Sequence, residues 1–566
     1  MLYSIVAGYL ALGSSLHAVA ADPYTITGIK TQSNNIPIRR NINDLASEAG
    51  PQWDLYIQAL ASMQKVDSAD PLSFFQVGGI HGEPAYEWNN TGQRLNDDDG
   101  WSGYCPHGEG IFMSWHRPYL LLHEQVLVKH ARKIAAEYTG SKRKRYIKAA
   151  ALLRTPFWDW ADIPHVPNST VPGTMTINTP RGRKEVRNPL ARYSFPQDAL
   201  DGNFGTFQPD PNKKITRCPP PQNYPETANQ NLEAINLRES VYHAFVFSKT
   251  FEDFGTTMGS GTSVEQAHNH VHNSAACGEQ LLDLAYSAFD PLFMLHHANI
   301  DRLWALWQAA HPDMPGLSIS YPGGERFTTP AGTTIGPNSP LAPFYRKGWH
   351  QHTSNSVLST HKYGYTYEGA EKKTQHLDQK RQYRDGDDQS ESTMSDTLTG
   401  YSEKHKRRAV AFINKLYSSR DHDKERIVYQ AHIRYRVEDL ERPARVKVYF
   451  CNSYVGYFVA LKHPKRGPSA ATIHLNRALE ACARAGIKPS QYRNEISASI
   501  HTHSGKDIPI SRVRSMKLEL ERFDEIPAKS KGEFPTILNR RVTPGKLKEY
   551  QPRKQSQAAH HIDYKE

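Results

Sequence analysis

The stretch AHNHVHNSA at residues 267–275 constrains this chain more than any other, because it places three histidines within five positions. His268 and His272 are four residues apart, so a helix would carry both rings on one face, about one turn apart. That spacing lets two imidazoles bind one metal ion, and it directs His270 to the opposite face. A histidine patch on a helix surface is the alternative interpretation of this stretch on its own.

A histidine pair lies further along, in the apolar run PLFMLHHANIDRLWALWQA at residues 291–309. Neighbouring side chains on a helix point roughly 100° apart, so only one of His296 and His297 can face a metal shared with His268 and His272. These residues predict a three-histidine site built on two helices.

A second set of three histidines lies nearer the N-terminus, in the segments GGIHGEPAYEW and GYCPHGEGIFMSWHRPYL. Both sets are flanked by Trp, Phe and Pro rather than by charged residues, which predicts rigid, desolvated pockets. The second set consists of His81, His107 and His116.

The ligand type narrows the choice of metal. Imidazoles without a carboxylate suit copper, zinc or nickel better than calcium, magnesium or manganese. Two sites with open coordination positions suggest a pair of metals acting on one small molecule. Copper can bind dioxygen as it alternates between Cu(I) and Cu(II), whereas hydrolytic zinc pairs usually include a bridging Asp or Glu. No such carboxylate lies in these motifs, so the sequence favours two copper ions over two zinc ions.

Two long helices are predicted from apolar residues at helical spacing. The first covers residues 118–138, with Pro118 in its first position. The second covers residues 291–309, with Asp290 as N-cap and Pro291 in the first position. Both lie in an aromatic-rich part of the chain, so we expect a mainly helical core.

The composition changes between residues 371 and 407, where dense charge and few aliphatic residues predict an exposed linker. It contains the basic pairs Lys380-Arg381 and Arg407-Arg408, which are suitable targets for a processing protease. A chain of 566 residues is too long for one core. We therefore expect a catalytic domain at residues 22–370 and a smaller domain at residues 408–566.

Alternating residues indicate that the smaller domain is rich in β-structure. The segment RVKVYFCNSYVGYFVALK alternates apolar and polar residues around a turn at Asn452-Ser453, as a β-hairpin does. The segment VRSMKLELERF alternates in the same way. No internal repeat is present.

The first 21 residues, MLYSIVAGYLALGSSLHAVAA, contain no charged side chain. An apolar run followed by Ala18-Val19-Ala20 is typical of a secretory signal peptide, and a buried N-terminal helix is the alternative. Other apolar stretches are shorter, so we expect a secreted chain without a membrane partner. The net charge is +11, but no run of Lys and Arg resembles a nucleic-acid-binding module, and no nucleic-acid partner is expected.

Secretion would make two sequons available for glycosylation, at Asn89 and Asn168, the alternative being two polar loops. The chain also has five cysteines, an odd number, so in an oxidising compartment one of them needs a role outside the disulfides. The five are Cys105, Cys218, Cys277, Cys451 and Cys482.

Together these motifs resemble the type-3 dicopper proteins, and most closely the secreted tyrosinases (polyphenol oxidases) of ascomycete fungi. The likeness covers most of the chain, including RRNINDL, GPQWDLYIQAL, DPLSFFQVGGIHG, GYCPHGEGIFMSWHRPYLLLHEQ, TPFWDWA, both copper-B segments and YGYTYEG. It implies a mainly α-helical core, a helical bundle that holds the dicopper site, with a smaller β-sandwich-like C-terminal domain.

The resemblance assigns the copper ligands residue by residue. His296 becomes a neighbour rather than a ligand, and Phe293 stacks over the copper-B imidazoles beside the substrate pocket. The copper-A ligands are His81, His107 and His116, and the copper-B ligands are His268, His272 and His297.

The resemblance also gives the odd cysteine a role. Fungal tyrosinases have a thioether between a cysteine and the copper-A histidine two residues after it, and Cys105 precedes His107 in this way. Such a bond would remove torsional freedom from one ligand. The other four cysteines then pair as Cys218–Cys277 and Cys451–Cys482, with free buried thiols as the alternative for the second pair.

Two polar residues resemble the pair that holds a water molecule in this family. Glu265 lies one turn before His268 and Asn269 follows it. Water between a carboxylate and an amide could accept the proton of a phenol, whose pKa is about 10. The alternatives are a helix-surface carboxylate and a polar bystander. Asn273 is a further expected contact at the pocket entrance.

The end of the core and the C-terminal domain also resemble this family. Tyr365 and Tyr367 in YGYTY match the motif that closes the catalytic core, with Arg39 as their partner. The domain that follows resembles one that shields the copper site until the linker is cut, with an aromatic residue in the place of the substrate. Tyr454 and Tyr457 are the candidates for that placeholder. The tail has no Cys-x-x-Cys, which argues against copper delivery by this domain.

The activity implied is that of a latent tyrosinase. It hydroxylates a monophenol ortho to its oxygen and oxidises the diphenol to an o-quinone with dioxygen, the entry to melanin-type chemistry. Its partners would be small phenols, dioxygen and a processing protease. A catechol or o-aminophenol oxidase without the hydroxylation step is the nearest alternative, and a haemocyanin-like dioxygen carrier is the alternative from another class.

Overall fold

The computed structural model describes residues 22–30, 36–95, 103–205, 207–209, 213–259, 262–371, 402–418 and 424–551. The predicted signal peptide and the linker residues 372–401 lie outside these ranges. Within them, no helix combines the length and the apolar character that a membrane crossing requires.

The N-terminal two thirds of the chain form a helical domain. Its helices are α1 (Ile42–Glu48), α2 (Pro51–Met63), α3 (Phe74–Gly79), α4 (Phe112–Glu137), α5 (Gly140–Leu152), α6 (Gln197–Leu200), α7 (Glu226–Glu233), α8 (Leu237–Phe247), α9 (Phe251–Gly255), α10 (Val264–Ser274) and α11 (Leu292–Ala310). Three small antiparallel sheets lie at its periphery: β1 (Thr174–Thr179) with β2 (Gly182–Arg187), β3 (Tyr321–Pro322) with β4 (Thr334–Ile335), and β5 (Pro340–Lys347) with β6 (His350–Thr353).

Three helices form the centre of this domain. Helix α11 packs against α4 and α10, and every side chain of α10 and α11 is buried. A helix that is covered on all sides needs no polar face, which explains the apolar character of α11. These three helices carry four of the six predicted ligands.

Helix α4 begins earlier than predicted. It starts at Phe112, and Pro118 lies inside it rather than in its first position. A proline within a helix removes one backbone hydrogen bond. The spacing of apolar residues could not show whether Pro118 begins the helix or lies inside it. The consequence is functional, because His116 lies on the helix and its Nδ1 is 2.7 Å from the carbonyl oxygen of Phe112.

The start of α11 agrees with the prediction to within one residue. The helix begins at Leu292, and Pro291 precedes it as the capping position. Asp290 still caps the first turn, because its Oδ1 accepts a hydrogen bond from the Leu292 N–H at 2.8 Å. Its other partner is Arg217, in a buried ion pair.

The C-terminal domain is a β-sandwich. One sheet has the strand order β10-β7-β13-β14, and the other has the order β12-β11-β8-β9 with β15 added to β11. Apolar residues from both sheets form one shared core. The strands are β7 (Arg426–Arg436), β8 (Ala444–Phe450), β9 (Ser453–Ala460), β10 (Pro468–His474), β11 (Ile496–Thr502), β12 (Asp507–Ile508), β13 (Lys517–Ile526), β14 (Thr536–Gly545) and β15 (Lys548–Glu549).

The predicted hairpin is present, with its turn one residue earlier than expected. Strands β8 and β9 pair through a two-residue turn at Cys451-Asn452, where φ is 49° and 62°. Two consecutive positive φ angles are the geometry that suits the twist of a tight hairpin. Helix α12 (Glu403–Tyr417) precedes the sandwich in the chain, and a short helix, α13 (Leu479–Arg484), lies within it.

The disulfides and the contacts of Arg39 join the expected residues. Disulfides join Cys218 to Cys277 and Cys451 to Cys482. Arg39 donates to the Tyr367 hydroxyl at 2.8 Å, and its guanidinium lies 3.6 Å from the ring centroid of Tyr365. Both tyrosine hydroxyls donate to Asp301 of α11.

Candidate metal centre

The histidines near the N-terminus converge on one point, here named cluster A (His81, His107 and His116). Their ring centroids are 5.4 to 5.8 Å apart. His81 follows α3, His107 lies in the loop before α4, and His116 lies on α4. Backbone carbonyls fix the Nδ1 atoms of two of these rings. The Nδ1 of His81 is 2.8 Å from the carbonyl oxygen of Leu284, and the Nδ1 of His116 is 2.7 Å from that of Phe112. This leaves Nε2 of both rings for a metal.

The remaining predicted ligands form cluster B (His268, His272 and His297). His268 and His272 lie one turn apart on α10, as their spacing predicted, with ring centroids 4.3 Å apart. His297 reaches them from α11, and its Nε2 is 3.3 Å from that of His268. The Nδ1 of His272 is held at 2.5 Å from the Leu281 carbonyl oxygen, so its Nε2 points away from that anchor.

The donor atoms of both clusters fit a metal ion. Among the described residues, Nε2 of His81 and Nε2 of His272 are buried without a hydrogen-bond partner. Burial lowers the pKa of His116 to about 3 and that of His272 to about 4. The imidazoles are therefore neutral near pH 7, which is the form that binds metals.

The resemblance makes His296 a neighbour of the copper-B ligands, but one of its ring nitrogens lies as close to cluster B as a ligand's would. Its donor atom lies within 4.8 Å of those of His268, His272 and His297. Both of its ring nitrogens are buried and have no partner among the described residues.

Two phenylalanine rings lie between the clusters. Phe293 stacks on His297 at 4.1 Å and meets His81 edge-on at 4.9 Å. The ring of Phe112 is 4.9 Å from both His116 and His268. Phe293 thus lies over cluster B as expected, and it also contacts cluster A.

Cys105 lies beside cluster A with its thiol buried. Its Sγ is 3.5 Å from Nδ1 and 3.8 Å from Nε2 of His107. The sulfur is therefore almost equally distant from the two nitrogens that flank the ring carbon Cε1. It is also 3.3 Å from Nε2 of His116. Burial raises the pKa of this thiol well above its usual range.

Glu265 lies on the helix of cluster B and bonds to the loop of cluster A. Its Oε1 accepts from the Gly108 N–H at 2.6 Å and its Oε2 from the Thr257 N–H at 2.8 Å. Burial raises its pKa to about 7, although these hydrogen bonds oppose the shift. Glu265 and Asn269 line a common cavity of about 20 Å³, which is enough for one water molecule.

The two placeholder tyrosines do not enter this pocket. Tyr454 is 42% exposed. Tyr457 lies on the outer face of α10, with its ring 4.6 Å from His270 and its hydroxyl 3.3 Å from the Ser274 hydroxyl. The two tyrosines lie on β9, whose pairing with β8 shifts register between Tyr454 and Gly456, and these contacts to α10 are those of Tyr457. Asn273, on the same face, is hydrogen-bonded to Tyr457.

A different part of the C-terminal domain reaches the pocket, and sequence reasoning missed it. His463 lines the cavity of Glu265 and Asn269 together with His107. Pro464 lies beside it, close enough to Gly108 that a Cβ at that glycine would be 3.2 Å from its ring. No sequence pattern marks these residues, because they follow β9 in an irregular segment.

The two sequons differ in their surroundings. The Asn89 amide nitrogen, to which a glycan would attach, donates to the carbonyls of Tyr24 and Pro343, so glycosylation would cost one of these bonds. Asn168 is exposed at the start of a short 3-10 turn.

Comparison with known proteins agrees with this geometry. Residues 71–310, which contain both clusters, match the family model for the common central domain of tyrosinase. The chain is 32% identical over 374 residues to a tyrosinase of Podospora anserina, covering 60% of this chain and 64% of that protein. It is 32% identical over 385 residues to a tyrosinase of Neurospora crassa, covering 62% of this chain and 55% of that protein. The chain thus spans less than two thirds of these relatives.

The fold also matches a solved structure that contains latent and active mushroom tyrosinase together. The TM-score is 0.73 at 22% identity, over 94% of this chain and all of that one. The similarity therefore includes the C-terminal domain as well as the helical core. The two histidine-rich groups are consistent with the two copper sites of a type-3 centre.

Proposed function

We propose that the chain is a copper-dependent tyrosinase that converts monophenols and o-diphenols to o-quinones with dioxygen, because residues 71–310 match the family model for the common central domain of tyrosinase. The observation that carries this proposal is the convergence of six buried, neutral imidazoles in two adjacent groups. Cluster A would hold one copper ion and cluster B the other. Small phenols and dioxygen are its partners, and its products enter melanin-type chemistry.

The protein contributes geometry and a dry site. Copper supplies dioxygen binding and electron transfer when it is bound. The carbonyls of Leu284, Phe112 and Leu281 fix the orientation of three ligand rings, and Phe293 and Phe112 hold the two clusters at a constant separation. Burial excludes competing water. A thioether between Cys105 and His107, supported by the 3.5 and 3.8 Å distances from Sγ to the ring nitrogens, would fix a fourth ring.

Glu265 and Asn269 are proposed to hold the proton acceptor. A water molecule in their shared cavity would take the proton of an incoming phenol, whose pKa is about 10. With a pKa of about 7, the Glu265 carboxylate is available as a base at neutral pH and above. An o-diphenol depends on this step less, because the ring already carries the second oxygen.

Glu265→Gln tests this role. We expect hydroxylation of tyrosine to fall by about a hundredfold, the scale of general-base catalysis, while oxidation of dihydroxyphenylalanine changes little. Glu137→Gln makes the same substitution at an exposed position at the end of α4 and serves as the control. An equal fall of both rates would contradict the assignment.

We also propose that the C-terminal domain keeps the enzyme latent. His463 and Pro464 lie against the pocket, so they occupy the approach that a phenol would use. In this proposal His463 replaces the aromatic placeholder, and Tyr457 attaches the domain to the outer face of α10. Secretion through the N-terminal signal, proteolysis within residues 371–407 and release of the C-terminal domain would complete maturation.

His463→Ala tests the placeholder. We expect the uncut variant to oxidise catechol at least about tenfold faster than the uncut parent, because truncation opens the approach. Tyr454→Ala, at an exposed position of the neighbouring strand, is the matched control and should leave latency unchanged. Equal latency of His463→Ala and the parent would exclude this residue as the placeholder.

Two alternatives are separated by one comparison of substrates. Turnover of a monophenol and of a diphenol is measured before and after limited proteolysis. Activity on both supports a tyrosinase, and activity on the diphenol alone indicates a catechol or o-aminophenol oxidase. A copper-loaded protein from which the C-terminal domain has been removed and that oxidises neither substrate would favour a dioxygen carrier.

A further inference from the structure

Helix α12 (Glu403–Tyr417) begins inside the predicted linker, because its first five residues, 403–407, belong to that segment. Its apolar residues recur at helical spacing and lie on one face. The side chains buried on this face are Ala409, Val410, Ile413 and Tyr417, each at most 2% exposed.

The buried face of α12 packs on the catalytic core. Its four buried residues belong to the same apolar cluster as the residues of α4 and α11, not to the core of the β-sandwich. Phe412 lies against Gly369, where a Cβ would come within 2.4 Å of the phenylalanine ring. By sequence this helix precedes the sandwich, yet by packing it is part of the helical domain.

Polar contacts join α12 to α11, the helix that carries His297. The Tyr417 hydroxyl accepts from Arg302 Nη1 at 2.7 Å and lies 3.0 Å from Asp159 Oδ2. Arg302, on α11, also donates to Asp159 at 2.9 Å. All three side chains are buried. Removing Tyr417 would leave a buried ion pair with one polar partner fewer.

Helix α12 also contacts the β-sandwich. The Asn414 amide nitrogen donates to the carbonyls of Lys531 and Glu533, in the loop before β14, at 3.0 and 2.8 Å. Its amide oxygen accepts from the Tyr242 hydroxyl of α8 at 3.2 Å. One side chain thus connects α12, the core and the C-terminal domain.

We propose that α12 retains the C-terminal domain on the core after the linker is cut, so that a protein cleaved within residues 372–401 stays latent. The surface of α8, α11 and Gly369 is then a binding site for an amphipathic helix, and its partner is the α12 of the cleaved fragment. This rests on the proposed function, in which the C-terminal domain is a shield. Release of the shield requires separation of α12 from the sandwich or from the core.

Two engineered cleavage sites test the proposal in the copper-loaded chain. One recognition sequence for a specific protease replaces residues 384–390, before α12, and the other is inserted between Ser418 and Lys424, after α12. After complete cleavage, each protein is examined by size-exclusion chromatography with light scattering and by catechol oxidation. We expect fragments of the first protein to co-elute and stay latent, and those of the second to separate and become active.

Two results would overturn the proposal. If the first protein separates on cleavage, α12 does not retain the fragment. If the fragments of the second protein still co-elute after cleavage, the surface of the sandwich is sufficient for retention and α12 is not needed.

Substitutions in α12 give an independent test. Ile413→Asp places a charge on the buried face, and we expect it to make the fragments of the first protein separate. Ile413→Ala is the milder variant should the charge prevent folding, and it should raise the fraction separated at micromolar concentration several-fold. Lys404→Ala, at an exposed position of the same helix, is the control. Fragments of both Ile413 variants that co-elute as fully as the control would contradict the proposal.

Chromatography keeps this test separate from the proposed activity. Co-elution or separation is measured without any substrate. A second protein that separates yet oxidises no catechol would refute the proposed function while supporting the role of α12.

Discussion

Cluster A and cluster B present similar sets of imidazoles, but the chain holds them by different means. Two ligands of cluster B are one turn apart on α10, and the third lies on the adjacent α11. Cluster A has one ligand on α4, one just after α3 and one in a loop. The anchor of His81 is the carbonyl of Leu284, which is 203 residues away along the chain.

This difference separates local from tertiary preorganisation. The backbone of α10 sets the distance between His268 and His272 before any tertiary contact is made. Cluster A forms only when the loop of His107 and the segment of Leu284 reach α4. We therefore expect cluster B to depend mainly on its helices and cluster A to depend on long-range contacts, including those from the side of cluster B.

Loss of a ligand from either cluster should have the largest effect. We expect His272→Ala and His107→Ala each to lower catechol oxidation more than about a hundredfold, since even the loss of an outer contact to a ligand costs up to that much. Bound copper, measured by atomic absorption on the trimmed protein, should fall from about two to about one per chain.

The comparison predicts an asymmetry between these variants. His107→Ala should retain copper at cluster B with unchanged affinity, because the helices that hold those ligands are intact. A variant of cluster A that empties both sites would show that cluster B is not independent.

The phenylalanines between the clusters should have the next largest effect. Truncation of a buried Phe to Ala costs about 3–5 kcal/mol of stability. We expect Phe293→Ala to lower the free energy of unfolding by this amount and to weaken copper at both sites, since its ring contacts a ligand of each. Chemical denaturation with and without copper measures both effects. Phe458→Ala, a buried ring in the core of the sandwich, should cost similar stability but leave copper binding unchanged.

Cluster B was the part of the site that local residue patterns predict best. The spacing of His268 and His272 requires only helical geometry, and the apolar run of α11 supplies the adjoining helix. The choice between His296 and His297 depends on the rotation of α11 relative to α10, which is a tertiary property. The resemblance to tyrosinases, not the pattern, assigned His297.

Other features depended on contacts that no local pattern encodes. The three histidines of cluster A are recognisable by resemblance, but the Leu284 anchor is not. Alternation in the strands predicts a β-rich domain and the resemblance implies the sandwich, whereas the contact of His463 with the pocket depends on how the two domains dock. The same applies to α12, whose residues were divided between the predicted linker and the C-terminal domain and whose apolar face packs on the core.

Glu265 connects the two clusters, and its ionisation should change the free energy of unfolding by an intermediate amount. Burial raises its pKa to about 7, above the value of about 4.3 expected in the unfolded chain. The folded protein therefore keeps a proton that the unfolded chain releases. The contribution to stability is complete below about pH 4.3 and is lost as pH rises through 7, by on the order of 3 kcal/mol.

The measurement is the difference in free energy of unfolding between copper-free parent and Glu265→Gln, from pH 4 to pH 8. A difference is needed because the buried histidines, whose pKa values are lowered, give the opposite slope below pH 6.5. We expect the parent to lose stability relative to the variant between about pH 4 and pH 7. A pH-independent difference would contradict the raised pKa.

Cys105→Ser should have the smallest effect and should sharpen the comparison most directly, because it changes cluster A alone. Constraint of one ligand ring is worth about ten- to a hundredfold in metal affinity, so copper at cluster A should weaken by that factor while cluster B is unchanged. If the thioether forms, the peptide that contains Cys105 and His107 is two hydrogen atoms lighter after copper loading in air, which mass spectrometry detects. A peptide of unchanged mass together with equal copper affinity in the variant would show that the loop of cluster A is held by packing alone.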